Sequence, residues 1–125
     1  MKCSIDVSAA FKAVSLILDC KTEEALELLS SYYGVEPPSL KVGRPEGIGK
    51  ALAVYVAPKK TIYVTRGEYM CNPFIILHEY YHHLRTFMGK HRGTERYADK
   101  FALCIISKYL EAKERAADQS IGKTL

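Results

Sequence analysis

The run CNPFIILHEYYHHLR, residues 71–85, places two histidines and a glutamate inside one of the most apolar segments of the chain. Asn72 and Pro73 predict the start of a helix, because asparagine is a favoured N-cap and proline suits the first helical position. Residues four apart lie on one helix face, so His78 and His82 point the same way, one turn apart. The run therefore predicts a helix that offers two imidazoles to one metal ion.

Glu79 is rotated by one residue from His78, too far round to be an equivalent ligand but close enough to reach a water on the same metal. HExxH on a helix is the arrangement in which two histidines hold zinc and the glutamate is the general base. The alternative is a packed helix whose polar groups are merely satisfied in a core. Burying them unpartnered would cost on the order of several kcal/mol, and a metal would supply the partner. Apolar stripes cover most of this helix: Leu77, Tyr81, Leu84 and Met88 form one, and Ile76, Tyr80 and Phe87 another.

A third ligand is expected downstream, because a tetrahedral catalytic zinc takes three protein ligands and keeps one open position. The segment TERYADKFA, residues 94–102, supplies it. We assign Glu95 as the third ligand, since the first turn of a helix favours the ionised carboxylate. Asp99, one turn later, is expected to accept a hydrogen bond from the far nitrogen of His78 and so fix its tautomer. The alternative for both acidic residues is a solvated helix face.

HEYYH followed by an ExxxD pattern resembles the gluzincin metallopeptidases, in which the second motif lies on a "glutamate helix". The pattern ExxADxFA in residues 95–102 also resembles the ImmA/IrrE-type peptidases, and the small architecture resembles the minigluzincins. The resemblance spans about residues 51–110. It implies a zincin-like minimal catalytic domain with one Zn²⁺ ion, which hydrolyses peptide bonds of a protein or peptide substrate. The residue roles it implies are Glu79 as general base, His78, His82 and Glu95 as metal ligands, and Asp99 behind His78.

Three further expectations concern how such a site would work. The tetrahedral oxyanion needs a donor, and His91 and Arg92 in the loop between the two metal-bearing helices are candidates. Other candidates are Tyr80, Tyr81, Tyr97 and His83, although packing is the favoured explanation for each tyrosine because the chain has nine. By resemblance, the strand TIYVT, residues 61–65, is the edge that pairs with an extended substrate. The resemblance to minigluzincins also implies autoinhibition by the tail, residues 119–125.

A catalytically silent, metal-stabilised binding or regulatory module is the alternative function, because the chain is small and lacks an obvious oxyanion residue.

The rest of the chain predicts an α+β fold in a single domain, residues 1–125. An N-terminal helical region, residues 1–37, holds helices at 7–19 and 22–33, with Thr22 as N-cap and Gly34 as the stop. The zincin-like core, residues 38–118, has a hairpin of strands 51–57 and 61–65, joined by residues 40–42 as a third strand. Two long helices follow, residues 73–88 and 95–118, and residues 119–125 are expected to be a flexible tail.

The composition predicts an ordinary globular protein, with 48% hydrophobic and 26% charged residues. The longest apolar run, residues 51–57, is too short to span a bilayer, and no signal peptide is recognised. No CxxC pair occurs among the four cysteines. Reduced thiols in a cytoplasmic protein are therefore expected, with a disulfide framework as the alternative. These cysteines are Cys3, Cys20, Cys71 and Cys104.

Charge is unevenly distributed along the chain. Residues 38–94 carry nine Lys or Arg and three Asp or Glu, net +6, whereas residues 1–37 carry three and six, net −3. A basic centre can attract acidic substrates or nucleic acid. Its basic residues are spread over turns, however, and no RNA- or DNA-binding motif appears. The glycine-rich loop 43–50 also lacks the spacing of a phosphate loop. Nucleic-acid binding is therefore not expected as the main function.

Overall fold

The computed structural model describes the backbone of residues 3–88 and 94–124, and the side chains of residues 3–87 and 95–117. Within these ranges it contains four helices and a small mixed sheet, which confirms the predicted α+β class. The elements are α1 (Val7–Leu18), α2 (Thr22–Tyr33), β1 (Ser39–Val42), β2 (Ala53–Val56), β3 (Thr61–Val64), α3 (Pro73–Met88) and α4 (Thr94–Thr124), with short 3-10 turns at Ala57–Lys59 and Gly67–Cys71.

The sheet has the strand order β1-β3-β2. Strand β3 runs parallel to β1, with Leu40 opposite Ile62, and antiparallel to β2. The prediction that residues 61–65 form the edge that pairs with substrate is therefore wrong, because this strand has a neighbour on each side. Ile62 and Val64 are fully buried, as expected of a central strand. The edge strand packed against α3 is β2.

Helix α3 is the centre of the packing, since it contacts β2 and β3 on one side and α4 on the other. Ile76, Leu77 and Tyr80 of α3 are completely buried. Ala98 and Ala102 of α4 are also completely buried, and small side chains let two helix backbones approach closely. Helix α1 packs on α2 and α4 and completes the core. The two helices that carry the predicted ligands are therefore neighbours in space.

The end of α2 and the start of α3 agree with the sequence predictions, whereas the start of α2 does not. Gly34 ends α2 in the left-handed conformation, with φ of 73°. The Asn72 side chain accepts a hydrogen bond from the Ile75 backbone N–H at 3.1 Å, as expected of an N-cap. Thr22, however, is the first residue of α2 and Lys21 occupies the cap position. The Thr22 hydroxyl instead donates to the Met70 carbonyl, which is remote in sequence.

The cysteines correct the expectation of reduced thiols, because they form two disulfides. Cys3 bonds to Cys104 across a separation of 101 residues, and Cys20 bonds to Cys71 across 51 residues. Pairings this distant leave no local pattern, since only the tertiary fold brings the segments together. One bridge ties the N-terminal segment to α4, and the other ties the α1–α2 turn to the residue before the α3 cap. A cytoplasmic location, which relied partly on reduced thiols, stays a prediction.

Helix α4 continues past its predicted end at Asp118 to Thr124, so most of the expected flexible tail is helical. A helix rises about 1.5 Å per residue, which places residue 119 roughly 36 Å along the axis from Glu95. While it is helical, this segment cannot fold back onto the site of its own chain. No helix in the described part of the chain combines the length and apolarity needed to cross a membrane.

Candidate metal centre

His78 and His82 on α3 face Glu95 on the first turn of α4. The Nε2 atom of His78 lies 3.2 Å from Glu95 Oε2, and the Nε2 atom of His82 lies 2.7 Å from Glu95 Oε1. One ligand atom from each of the three residues lies within 4.8 Å of the other two. The three residues predicted as ligands therefore form one group that can hold a metal ion.

The spacing of this group suits a small tetrahedral ion. Zinc binds imidazole nitrogen and carboxylate oxygen at about 2.0–2.2 Å, so two of its ligand atoms stand roughly 3.3 Å apart in a tetrahedron. The observed His78–Glu95 separation of 3.2 Å is close to that value. The His82–Glu95 separation of 2.7 Å is that of a hydrogen bond, and a small movement of the exposed Glu95 side chain would open it. Two imidazole nitrogens and a carboxylate thus suit a metal in kind, and the two distances run to different oxygens of Glu95.

Asp99 lies behind His78. Its Oδ1 atom is 2.8 Å from Nδ1 of His78, at the distance of a hydrogen bond to a charged acceptor. Because the carboxylate only accepts, His78 donates this bond through Nδ1–H, and Nε2 is the nitrogen that faces Glu95. The arrangement is the one in which an acidic residue orients a metal-binding histidine.

Glu79 lies beside the three-residue group, with its Oε2 atom 4.0 Å from Nε2 of His78. Its side chain is 11% exposed, whereas that of Glu95 is 81% exposed. Burial raises the pKa of Glu79 to about 7, opposed by the neighbouring His78 and by a hydrogen bond with the Tyr55 backbone, while the charge of Glu95 raises it further. A carboxylate with a pKa near neutrality exchanges protons readily at physiological pH. A bound cation would lower this pKa, because positive charge favours the ionised form.

The β2 strand approaches Glu79 through the backbone of Tyr55. Hydrogen-bonded pairs alternate along an antiparallel ladder, and the Thr65 N–H donates to the Leu52 carbonyl at 2.9 Å. Leu52 and Thr65 are thus a hydrogen-bonded pair, and Ala53 and Tyr55 stand at the non-bonded positions, so their backbone groups point away from β3. The backbone of Tyr55 is bonded to Glu79 of α3. Sequence reasoning missed Tyr55, because nothing in the apolar run around it marks a residue that faces a helix more than twenty positions later.

The proposed oxyanion donors have different environments. His83 is completely buried, with Nδ1 at 2.8 Å from the Tyr55 hydroxyl and Nε2 at 2.6 Å from the Glu36 carbonyl. Tyr80 is buried with its hydroxyl 3.0 Å from Ser30 Oγ, and Tyr81 is 8% exposed. Tyr97 is 46% exposed and lies near Glu95 in the first turn of α4. His83 and Tyr80 are therefore packing residues. His91 and Arg92 lie outside the described residues.

The chain matches no protein-family model, no curated protein and no solved structure.

Proposed function

We propose that this chain is a zinc-dependent metallopeptidase with a zincin-like catalytic domain. The observation that carries the proposal is the convergence of His78, His82 and Glu95, with the Glu79 carboxyl group next to them. Two imidazoles and a carboxylate are a donor set that suits zinc and leaves a fourth position for water or substrate. Zinc bound there would polarise a substrate carbonyl and make a water molecule more acidic.

The chain's own residues have distinct tasks in this reaction. Glu79 accepts a proton from the attacking water at its carboxylate and delivers it to the amine that leaves. Asp99 keeps the proton of His78 on Nδ1, so that Nε2 stays available as a ligand. The exposed position of Glu95 leaves one side of the site open to solvent, where an unfolded peptide segment can enter.

The substrate is proposed to be an extended segment of a protein or peptide that lies along β2. Strand β2 is an edge of the sheet and contacts the helix that carries the ligands. An extended chain that adds to such an edge is held by backbone hydrogen bonds, which do not depend strongly on sequence; here the outward groups of Ala53 would supply them, since the Tyr55 N–H is bonded to Glu79. This replaces the earlier expectation that β3 serves as that edge.

The test is cleavage of an unstructured protein such as casein by the zinc-loaded chain and by its Glu79→Gln variant. Removing a general base is expected to slow turnover by about 10²–10⁴-fold, while zinc content stays at one equivalent because no ligand is lost. Glu111→Gln, on the far part of α4, is the matched control and should cleave normally. Equal cleavage by the wild type and Glu79→Gln would refute the assignment of Glu79. Zinc binding without any cleavage would instead favour a silent binding or regulatory module.

A further inference from the structure

Tyr55 contacts two residues of α3 with two different parts of itself. Its backbone bonds to the Glu79 carboxyl group, and its hydroxyl lies 2.8 Å from Nδ1 of His83. Glu79 and His83 are four residues apart, so they lie on one face of α3. We propose that Tyr55 is a positioning residue for Glu79: its hydroxyl, anchored on the buried His83, fixes the strand whose backbone N–H holds the carboxylate. The catalytic consequence rests on the proposed function, whereas the anchoring itself does not.

The direction of each hydrogen bond follows from the chemistry of the partners. The Glu36 carbonyl can only accept, so the bond of 2.6 Å to Nε2 of His83 requires a proton on that nitrogen. In the tautomer with its proton on Nε2, Nδ1 is an acceptor. The Tyr55 hydroxyl therefore donates to Nδ1. One neutral tautomer satisfies both bonds.

The hydrogen bond between Tyr55 and His83 is anchored on a buried side chain, which makes it hard for water to replace. His83 has no exposed surface, and a hydrogen bond shielded from water is harder to replace by solvent. The rings of Tyr55 and His83 also meet edge to face, with centroids 5.3 Å apart. On its far side His83 is bonded to the segment before β1 through Glu36. The histidine thus connects the helix, the edge strand and the preceding loop.

Strand β2 needs such an anchor because only one of its sides is hydrogen-bonded to a strand. It is four residues long and, among the residues that the structure describes, its pairing partner is β3. The backbone groups of Tyr55 point away from β3, so contacts with α3 determine how far this side of the strand lies from Glu79. Losing the hydroxyl would free the outer side of β2 without changing any residue of the metal group.

The experiment compares Tyr55→Phe with Tyr80→Phe. Each removes one hydroxyl hydrogen bond that involves α3, but the Tyr80 hydroxyl bonds to Ser30 of α2, whereas the Tyr55 hydroxyl bonds to His83. Hydrogen exchange of the backbone amide at position 55, followed by NMR, is the direct readout. One lost hydrogen bond corresponds to about tenfold, so we expect this amide to exchange about tenfold faster in Tyr55→Phe and at the wild-type rate in Tyr80→Phe. Glu79→Ala should accelerate the same amide by removing its acceptor.

Kinetics provide the second readout. Tyr55→Phe is expected to lower kcat by about tenfold, with KM within about twofold of wild type and one equivalent of zinc retained. Tyr80→Phe should leave kcat unchanged. Wild-type exchange of the position-55 amide in Tyr55→Phe, or equal kcat values in the two variants, would overturn the inference. If the wild-type chain cleaves nothing, the proposed function fails, and the amide exchange alone decides whether Tyr55 positions Glu79.

Discussion

Two adjacent pairs of residues on α3 have opposite surroundings. His78 and His82 form one pair, one turn apart, and face the exposed Glu95 of α4. Glu79 and His83 form the other, rotated by one residue, and face Tyr55 of β2. Both imidazoles of the first pair face the single carboxylate of Glu95, whereas His83 in the second is bonded to a tyrosine hydroxyl and a backbone carbonyl. The difference shows how one helix can present a group that could bind a metal ion on one side and a buried carboxyl group that contacts the sheet on the other.

The comparison also separates two histidines that look alike in sequence. His82 and His83 are neighbours, yet only His82 is placed to bind a metal, because a rotation of about 100° directs His83 into the core. We expect the buried His83 to contribute to stability and the partly exposed His82 to contribute to metal binding. The predictions below test whether the two roles are separable.

The largest expected effect is the loss of metal binding in His82→Ala. With one ligand removed, the variant should hold no zinc at one equivalent of added metal, while its metal-free unfolding curve stays close to that of the wild type. His83→Ala should instead lose stability and keep the metal. It leaves the Tyr55 hydroxyl and the Glu36 carbonyl unpaired, which should lower the free energy of unfolding by about 3 kcal/mol. It should still bind one zinc. Elemental analysis and urea unfolding measure the two effects. Equal zinc content in the two variants would show that His82 and His83 do not differ in metal binding.

A smaller effect is expected from Asp99→Asn. Replacing an acidic residue behind a metal-binding histidine typically weakens metal affinity by about 10–100-fold, because the amide holds the imidazole proton less firmly. Competition with a chromophoric chelator measures the zinc affinity. Glu111→Gln is the control, since Glu111 lies further along α4 and pairs with Arg115. An affinity for zinc unchanged by Asp99→Asn would mean that Asp99 has no part in orienting His78.

The smallest expected effect is a pH dependence of stability from His83. Burial lowers the pKa of His83 below its ordinary value of 6.5, so below pH 6.5 the unfolded chain takes up a proton that the folded chain resists. Stability is therefore present above pH 6.5 and is lost as the pH falls, by at most about 1.4 kcal/mol per pH unit. Metal-free wild type should lose more stability between pH 7.5 and 5.5 than metal-free His83→Gln. A greater loss in the variant would contradict the sign.

Much of this architecture was predictable from sequence, because local chemistry determines it. Asn72 caps α3, Gly34 ends α2, and the spacing of His78 and His82 places them on one face. The partnership with Glu95 was also predicted, since a tetrahedral site needs a third ligand and the start of the last helix offers a carboxylate. That the ligand atoms come within 4.8 Å of one another is a property of the fold.

The remaining features depend on contacts between distant segments, which leave no periodic signal. The parallel pairing of β1 with β3 made a predicted edge strand central. Two disulfides joined cysteines with no motif around them. The role of Tyr55 depends on the alternation of hydrogen bonds in β2, and that alternation is known only once the register is known.

The central claim is that α3 and α4 together bind one zinc ion through His78, His82 and Glu95. Zinc K-edge X-ray absorption of the stoichiometric zinc complex tests it most directly. We expect two imidazole nitrogens at about 2.0–2.1 Å and carboxylate oxygen at about 2.0–2.2 Å, with one imidazole lost in His82→Ala and none lost in His83→Ala. A zinc ion with fewer than two imidazole ligands in the wild type, or a chain that retains no zinc, would contradict the account.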